Sequence, residues 1–145
     1  MSLMKIYHKS TFAKILDPLF RACGEILLCS NSASGFCFLL ALAILAPKVA
    51  GLILLGVTVA TLTAVLFREP NILIMRGYYG YNAALLGILW VFLWESTFLS
   101  TLLFLPAAAG TALMVILHRK ANLWGRLRLP VLCLPTLIVV TLLGP

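Results

Sequence analysis

Five stretches of this chain, at 26–47, 49–67, 77–94, 96–117 and 129–145, contain no Asp, Glu, Lys or Arg. They run from 17 to 22 residues. A helix rises about 1.5 Å per residue and the hydrocarbon core of a bilayer is about 30 Å thick, so runs of this length match a membrane crossing. Composition agrees: of 145 residues, 63% are hydrophobic and 10% charged, with a mean hydropathy of +1.11. These values lie outside the range of soluble domains. The expected fold class is an all-α membrane protein with five transmembrane helices.

The formal charge of +7 does not point to nucleic acid, because Lys and Arg flank the apolar runs instead of forming a basic stripe with aromatics. Membrane topology accounts for it. With five spans, Lys5, Lys9, Lys14, Arg21, Arg68, Arg76, Arg119, Lys120, Arg126 and Arg128 fall on one side and Lys48 alone on the other, a bias of ten to one. Setting aside Arg21 and Arg76 as pore-edge residues leaves eight to one. By the positive-inside rule the richer side is the cytoplasm. A multi-pass protein of the cell membrane follows, with its N-terminus cytoplasmic and its C-terminus outside. The first 16 residues read as a cytoplasmic segment, since lysines interrupt them before any apolar core of a signal peptide can form.

Between that segment and the first span, Asp17-Pro18 offers a helix start, with Asp as cap and Pro in the first helical position. Asn31 through Gly35 supplies stop signals. The helix predicted there, about 18–29, is half the length of a crossing and therefore reads as re-entrant. The spans that follow are expected at about 32–47, 49–67, 77–94, 96–117 and 129–145, so that 17–145 form one membrane domain. Asn31 or Ser32 should cap the first, Pro106 should kink the fourth, and Pro135 lies well inside the fifth. No internal repeat is evident.

Glu25 is the most informative residue, because a carboxylate at membrane depth costs about 2.5–3.5 kcal/mol on insertion scales and lines a polar path or meets a partner. Arg21, one helical turn earlier, makes an ion pair the competing reading, and an interfacial position is a third. Tyr78, Tyr79 and Tyr81 suit an interfacial belt, and Trp90, Trp94 and Trp124 suit anchors at span ends. Asn82 lies deeper and fits either an interhelical hydrogen bond or a pore lining. The cysteines Cys23, Cys29, Cys37 and Cys133 lack metal-type spacing and read as small hydrophobes. His8 and His118 lie outside the apolar runs, which argues against a proton relay or a histidine-lined ammonia pore. With four acids and two peripheral histidines no catalytic set can be assembled, so neither an enzyme nor a cofactor or metal site is expected.

Three elements together resemble the urea transporter family. Gly24-Glu25-Ile26-Leu27-Leu28-Cys29-Ser30-Asn31, running on to Ser34-Gly35, resembles its Gly-Gln/Glu-Val start with an Asn-rich turn and Ser-Gly. Gly80-Tyr81-Asn82-Ala83-Ala84-Leu85-Leu86-Gly87 is similar to its Gly-aromatic-Asn signature. Leu129-Pro130-Val131-Leu132-Cys133-Leu134-Pro135 is similar to its Leu-Pro-x-x-Thr-x-Pro element. The resemblance covers about 17–145 and implies one urea-transporter-like repeat, a re-entrant helix plus five spans. In that family two inverted repeats enclose one pore, three pores form a trimer, and urea passes passively through a slot with oxygen acceptors along one edge. By this resemblance Glu25 is an acceptor, Ile26, Leu28, Tyr81 and Leu85 are slot walls, and Cys133 stands where the family commonly has Thr. Leu28 and Tyr81 stand where the family often has Phe. Asn82 and Thr136 would support the pore, Thr136 lying about one helical turn beyond the Thr position.

The implied ligand is urea or a similar small neutral amide, whose edges need acceptors and whose faces need only apolar contact. One repeat cannot close such a pore. A second half-transporter chain, an inverted homodimer and a trimer-based or other parallel oligomer are the possible partners, besides the lipid bilayer. The charge bias disfavours dual insertion, whereas a chain that opens on Met and closes after a fifth span favours a homo-oligomer. The alternatives to a urea channel are a non-conducting membrane subunit and a broader pore for ammonia, water or short amides. The charge bias predicts that a tag on the N-terminus is reached by impermeant reagents only from the cytoplasm and one on the C-terminus only from outside. Labelling of either tag in equal amounts from both faces would contradict the single orientation.

Overall fold

A computed structural model of the protein describes residues 11–29, 31–94, 98–120 and 134–143. Within them the chain forms seven helices and no strand: α1 (Thr11–Glu25), α2 (Ser32–Leu45), α3 (Pro47–Leu66), α4 (Asn71–Met75), α5 (Gly80–Leu93), α6 (Phe98–Lys120) and α7 (Leu134–Leu143). Helix α1 is amphipathic, whereas α2, α3, α5 and α6 are apolar on all sides, the pattern of helices with no water-facing stripe.

Local chemistry sets most boundaries. Asn31 caps α2 in an extended conformation, and its side chain accepts from the Ala33 amide at 3.1 Å. Ala46 alone separates α2 from α3. A residue before proline is pushed out of the helical region, and Pro47 then sits at the start of α3, where its missing N–H leaves nothing unpaired. Three helices close the same way. In α1, Cys29 N–H bonds to Gly24 O at 3.0 Å and Leu28 N–H to Glu25 O at 2.9 Å. In α3, Glu69 N–H bonds to Ala64 O at 3.1 Å and Arg68 N–H to Val65 O at 3.0 Å. In α4, Tyr78 N–H bonds to Leu73 O at 3.3 Å and Gly77 N–H to Ile74 O at 2.9 Å. Each is the paired closure in which one left-handed residue lets two amides fold back on orphan carbonyls. That residue is Leu28 (φ 58°), Arg68 (φ 52°) and Gly77 (φ 75°) in turn.

Helix α1 departs from the expected 18–29 span. It spans Thr11–Glu25 and runs through Pro18. Pro18 costs the helix one internal hydrogen bond without ending it, and Asp17 does not cap. Its carboxylate instead accepts from Arg21 Nε at 3.0 Å and from Ser32 Oγ at 2.6 Å, which ties α1 to α2. Two helices, Pro47–Leu66 and Phe98–Lys120, are long and apolar enough to cross a bilayer unaided. Helices α2 and α5 have 14 residues each, about 21 Å at 1.5 Å per residue. For α5 the expected 77–94 run is shortened because Gly77 closes α4 and the helix resumes only at Gly80. Pro106 lies inside α6 without interrupting it. The short α4 has no counterpart in the sequence reading, since five residues are too few for periodicity to register. The 1–10 segment and 129–133 of the expected fifth span lie outside the described residues.

Helix α3 is the hub. It packs against α5, α6, α2 and α1, while α1 lies mainly on α2, and α7 on α6 and α5. The contacts are made by small side chains: Ala60, Ala83, Ala107, Ala108 and Ala112 meet Leu86, Trp90, Phe104 and Val139 in one core, and Ala22, Ala50 and Ala84 meet Ile53 and Val57 in another. In an apolar surround helices associate through close approach more than through water exclusion, so small residues belong there. Gly35 marks the tightest approach, because a Cβ built on it would lie 1.7 Å from the Phe20 carbonyl oxygen. Large apolar side chains such as Ile44, Leu45, Leu66, Phe92 and Phe98 face outward.

Gly35→Ala should cost at least about 3 kcal/mol, the upper end for overpacking a core. Gly51→Ala, which meets nothing within 4 Å, should be neutral or stabilising by up to about 1 kcal/mol. Monodisperse protein remaining after heating in detergent reads both, and equal survival would contradict the close α1–α2 approach. Arg68→Gly relieves a left-handed strain of about 1–2 kcal/mol and loosens the unfolded chain by about 0.5–1 kcal/mol, so the variant should melt slightly higher. A lower melting point would contradict the closure described for α3.

Candidate functional site

Five of the residues singled out in the sequence fall on two adjacent elements. Glu25 is the last residue of α1, and Ile26 and Leu28 lie in the closing turn. Tyr81 and Leu85 are four apart on α5 and so share one face. The two elements meet where α1 passes the start of α5. A Cβ on Gly80 would lie 2.8 Å from the Ala22 Cβ and 2.9 Å from Val57 Cγ1, and one on Gly77 would lie 2.4 Å from the Ala22 amide nitrogen. Ala22 lies one helical turn before Glu25 and Ile26. Glycine at 80 is what lets these backbones touch.

None of the five residues is sealed in the core. Glu25, Ile26, Tyr81 and Leu85 are half-buried, and Leu28 is 79% exposed. Leu28 is also the left-handed residue of the α1 closure, a conformation that costs a non-glycine residue about 1–2 kcal/mol. Its side chain is thereby directed away from the helix barrel. Arg21, the competing partner for Glu25, bonds to Asp17 on the turn before it. Cys133 lies outside the described residues.

Asn82 and Thr136 are brought together. Both are buried, at 3% and 1% exposure. Thr136 Oγ1 lies 2.9 Å from the Asn82 carbonyl oxygen and 3.1 Å from its Oδ1, so the hydroxyl donates toward both. The bond joins α5 to α7 across 54 positions of sequence, so Asn82 makes the interhelical hydrogen bond that was one of its two readings.

A second polar cluster was not anticipated. Glu69, in the link between α3 and α4, is 4% exposed. Its Oε2 accepts from the Tyr79 hydroxyl at 2.6 Å and from Arg119 Nη2, while Lys120 Nζ lies 3.7 Å from Oε1. Arg119 and Lys120 come from the last turn of α6, where cations also favour the helix dipole. The expected belt of tyrosines is therefore wrong for Tyr79, which is 1% exposed and packs with Ala64, Val115 and Ile116. Trp90 likewise is no interfacial anchor. It is buried, donates from Nε1 to Ser100 Oγ at 2.8 Å, and stacks on Trp94 with ring centroids 4.2 Å apart. Trp124 lies outside the described residues. An acid, a tyrosine and a cation separated by 10 and 50 positions leave no local pattern; the one available signal was a lone Glu between apolar runs.

Among the described residues no three His, Cys, Asp or Glu side chains are grouped to hold a metal ion. The polar groups at the junction of α1 and α5 can accept hydrogen bonds from a neutral ligand, and the aliphatic and aromatic side chains beside them offer flat apolar contact.

The family model for the urea transporter matches residues 16–144. Urea transporter 1 of Rattus norvegicus is 31% identical over 128 residues, covering 88% of this chain and 33% of the rat protein. The protein of that name from Mus musculus is 30% identical over the same length, and that from Ovis aries 29% over 123 residues. The chain thus spans about a third of the length of these relatives, which are by name transporters and not enzymes. With a match that runs from α1 to α7, the chain belongs to the urea transporter family.

Proposed function

We propose that this chain is one unit of a passive urea channel in the cell membrane, completed by other copies of itself or by a second half-transporter chain. The observation that carries the proposal is the contact of α1 with the start of α5 at Ala22 and Gly80. It sets the Glu25–Leu28 turn beside the helix bearing Tyr81 and Leu85, and leaves those side chains partly exposed on a single unit. In the proposed assembly Glu25 accepts from urea amides, Ile26, Leu28, Tyr81, Leu85 and Cys133 form the walls, and Asn82 with Thr136 fixes α5 against α7.

The physical basis is the shape of urea. It is planar and neutral, so acceptors along one edge replace water for its N–H groups while apolar walls contact its faces. An ion gains nothing comparable, because such a slot cannot replace its hydration shell. Flow is passive, down the gradient, as the family resemblance implies. Helix α1, with 15 residues about as long as α2 and α5, is taken as the re-entrant element on the family resemblance and not on its length. Its last residue, at the closing turn, carries the carboxylate, and the remaining long helices cross the bilayer. The turn is self-satisfied, as irregular backbone at membrane depth must be. Helices α2 and α5 at about 21 Å cross most of the core, with flanking turns making up the rest.

Purified chain reconstituted in liposomes should release urea far faster than empty vesicles. Glu25→Ala should cut that rate about tenfold, the effect of about 1.4 kcal/mol, just under the range for hydrogen bonds to a charged group. Glu25→Gln, which keeps an acceptor, should lose less. Stopped-flow light scattering on matched preparations measures all three. Flux equal to empty vesicles from a monodisperse oligomer would overturn the channel reading and favour a non-conducting subunit, whereas water and ammonia fluxes that rise together with urea would favour a broader pore.

A further inference from the structure

We infer that Glu69 is a positioning residue for the slot wall, acting through the Tyr79 hydroxyl on the register of α5. This deepens the urea-channel reading and rests on it for the word slot, though the geometry stands apart from that reading. Tyr79 is the residue immediately before α5, and its hydroxyl is held 2.6 Å from Glu69 Oε2. The same oxygen accepts from Arg119 at the end of α6. One carboxylate therefore joins the end of α3, the start of α5 and the end of α6. A groove of about 420 Å³ lined by Val65, Arg68, Asn71 and Ile74 opens beside it.

Steric and polar contacts together locate the first turn of α5. Gly80 is wedged against Ala22 and Val57, which fixes how closely α5 approaches α1 and α3. The wedge is steric and one-sided, and a glycine by itself leaves the helix free to turn about its axis. The Asn82–Thr136 bond restrains that rotation on the α7 side, and Tyr79 restrains it on the α3 and α6 side, because a hydrogen bond to a buried carboxylate is directional. Tyr81 and Leu85 lie on one face, so any rotation of α5 moves both together. A buried ion pair contributes little net stability, since desolvation offsets most of its attraction, and its established use is in fixing one geometry among several. The Glu69 cluster fits that use at the one helix end where rotation would change the proposed wall.

The test uses the full chain in liposomes and two readouts. The first is the ratio of urea to N-methylurea permeability; the second is the rate at which a water-soluble maleimide labels Tyr81→Cys, followed on its own peptide by mass spectrometry. Tyr79→Phe should change both by about threefold or more, in keeping with the loss of one buried hydrogen bond. Glu69→Gln retains the acceptor for Tyr79 and should stay within about twofold of the parent. Arg119→Lys, which keeps the charge but loses the planar fork, should fall between them and serves if Tyr79→Phe does not fold. A lower melting temperature with both readouts unmoved would overturn the inference, because a merely structural cluster does just that. Altered labelling in a chain that conducts no urea would uphold the positioning role and refute the channel. Normal flux with neither readout altered would do the reverse.

Discussion

Close backbone approach is what the remainder of this structure depends on. A chain that is 63% hydrophobic and surrounded by lipid gains little by moving apolar side chains from one apolar place to another. Its helices hold together where small residues let them touch. Gly35 against the Phe20 carbonyl joins α1 to α2, and Gly80 against Ala22 and Val57 joins α5 to both α1 and α3. Because these contacts tolerate no side chain, they fix the position of α1 far more closely than greasy packing would. The turn that follows α1 is placed as a result.

The second constraint is that backbone groups left over at helix ends need partners. Three paired closures at Leu28, Arg68 and Gly77 and a side-chain cap at Asn31 meet it locally. The longer-range polar bonds are few and placed at helix junctions: Asp17 with Ser32, Asn82 with Thr136, and Glu69 with Tyr79 and Arg119. The bonds of Asn82 to Thr136 and of Glu69 to Arg119 join elements distant in sequence. Small residues thus set how near the helices lie, and these bonds set how they are turned.

The sequence showed the apolar helices well, because uninterrupted runs between charges need no tertiary information to be read. It showed the Asn31 cap for the same local reason, but not the Gly77 closure, since Gly77 opened the expected third span. It misled at Asp17-Pro18, where a capping pattern was overridden by the ion pair to Arg21 and the bond from Ser32. Leu28 and Arg68 in the left-handed region could not be foreseen, since only the fold-back bonds around them reveal that conformation. Glu69 was hidden because its partners are remote, and Trp90 because burial depends on which helix faces it. Of the candidate site, the motif resemblance drew attention to Glu25, Tyr81 and Asn82, while the structure contributed the Asn82 bond to Thr136 and the contact that sets α1 beside α5.

The chain spans about a third of the length of its curated relatives, and the arrangement of units around the proposed pore is where the account is most exposed. The decisive measurement is an experimental structure of the purified assembly in a lipid disc with urea present. The account predicts that the Glu25 carboxylate and the Tyr81 ring face a narrow path shared with a neighbouring unit, with urea density against Glu25. An assembly in which Glu25 and Tyr81 face lipid, or in which the path between units runs elsewhere, would contradict it.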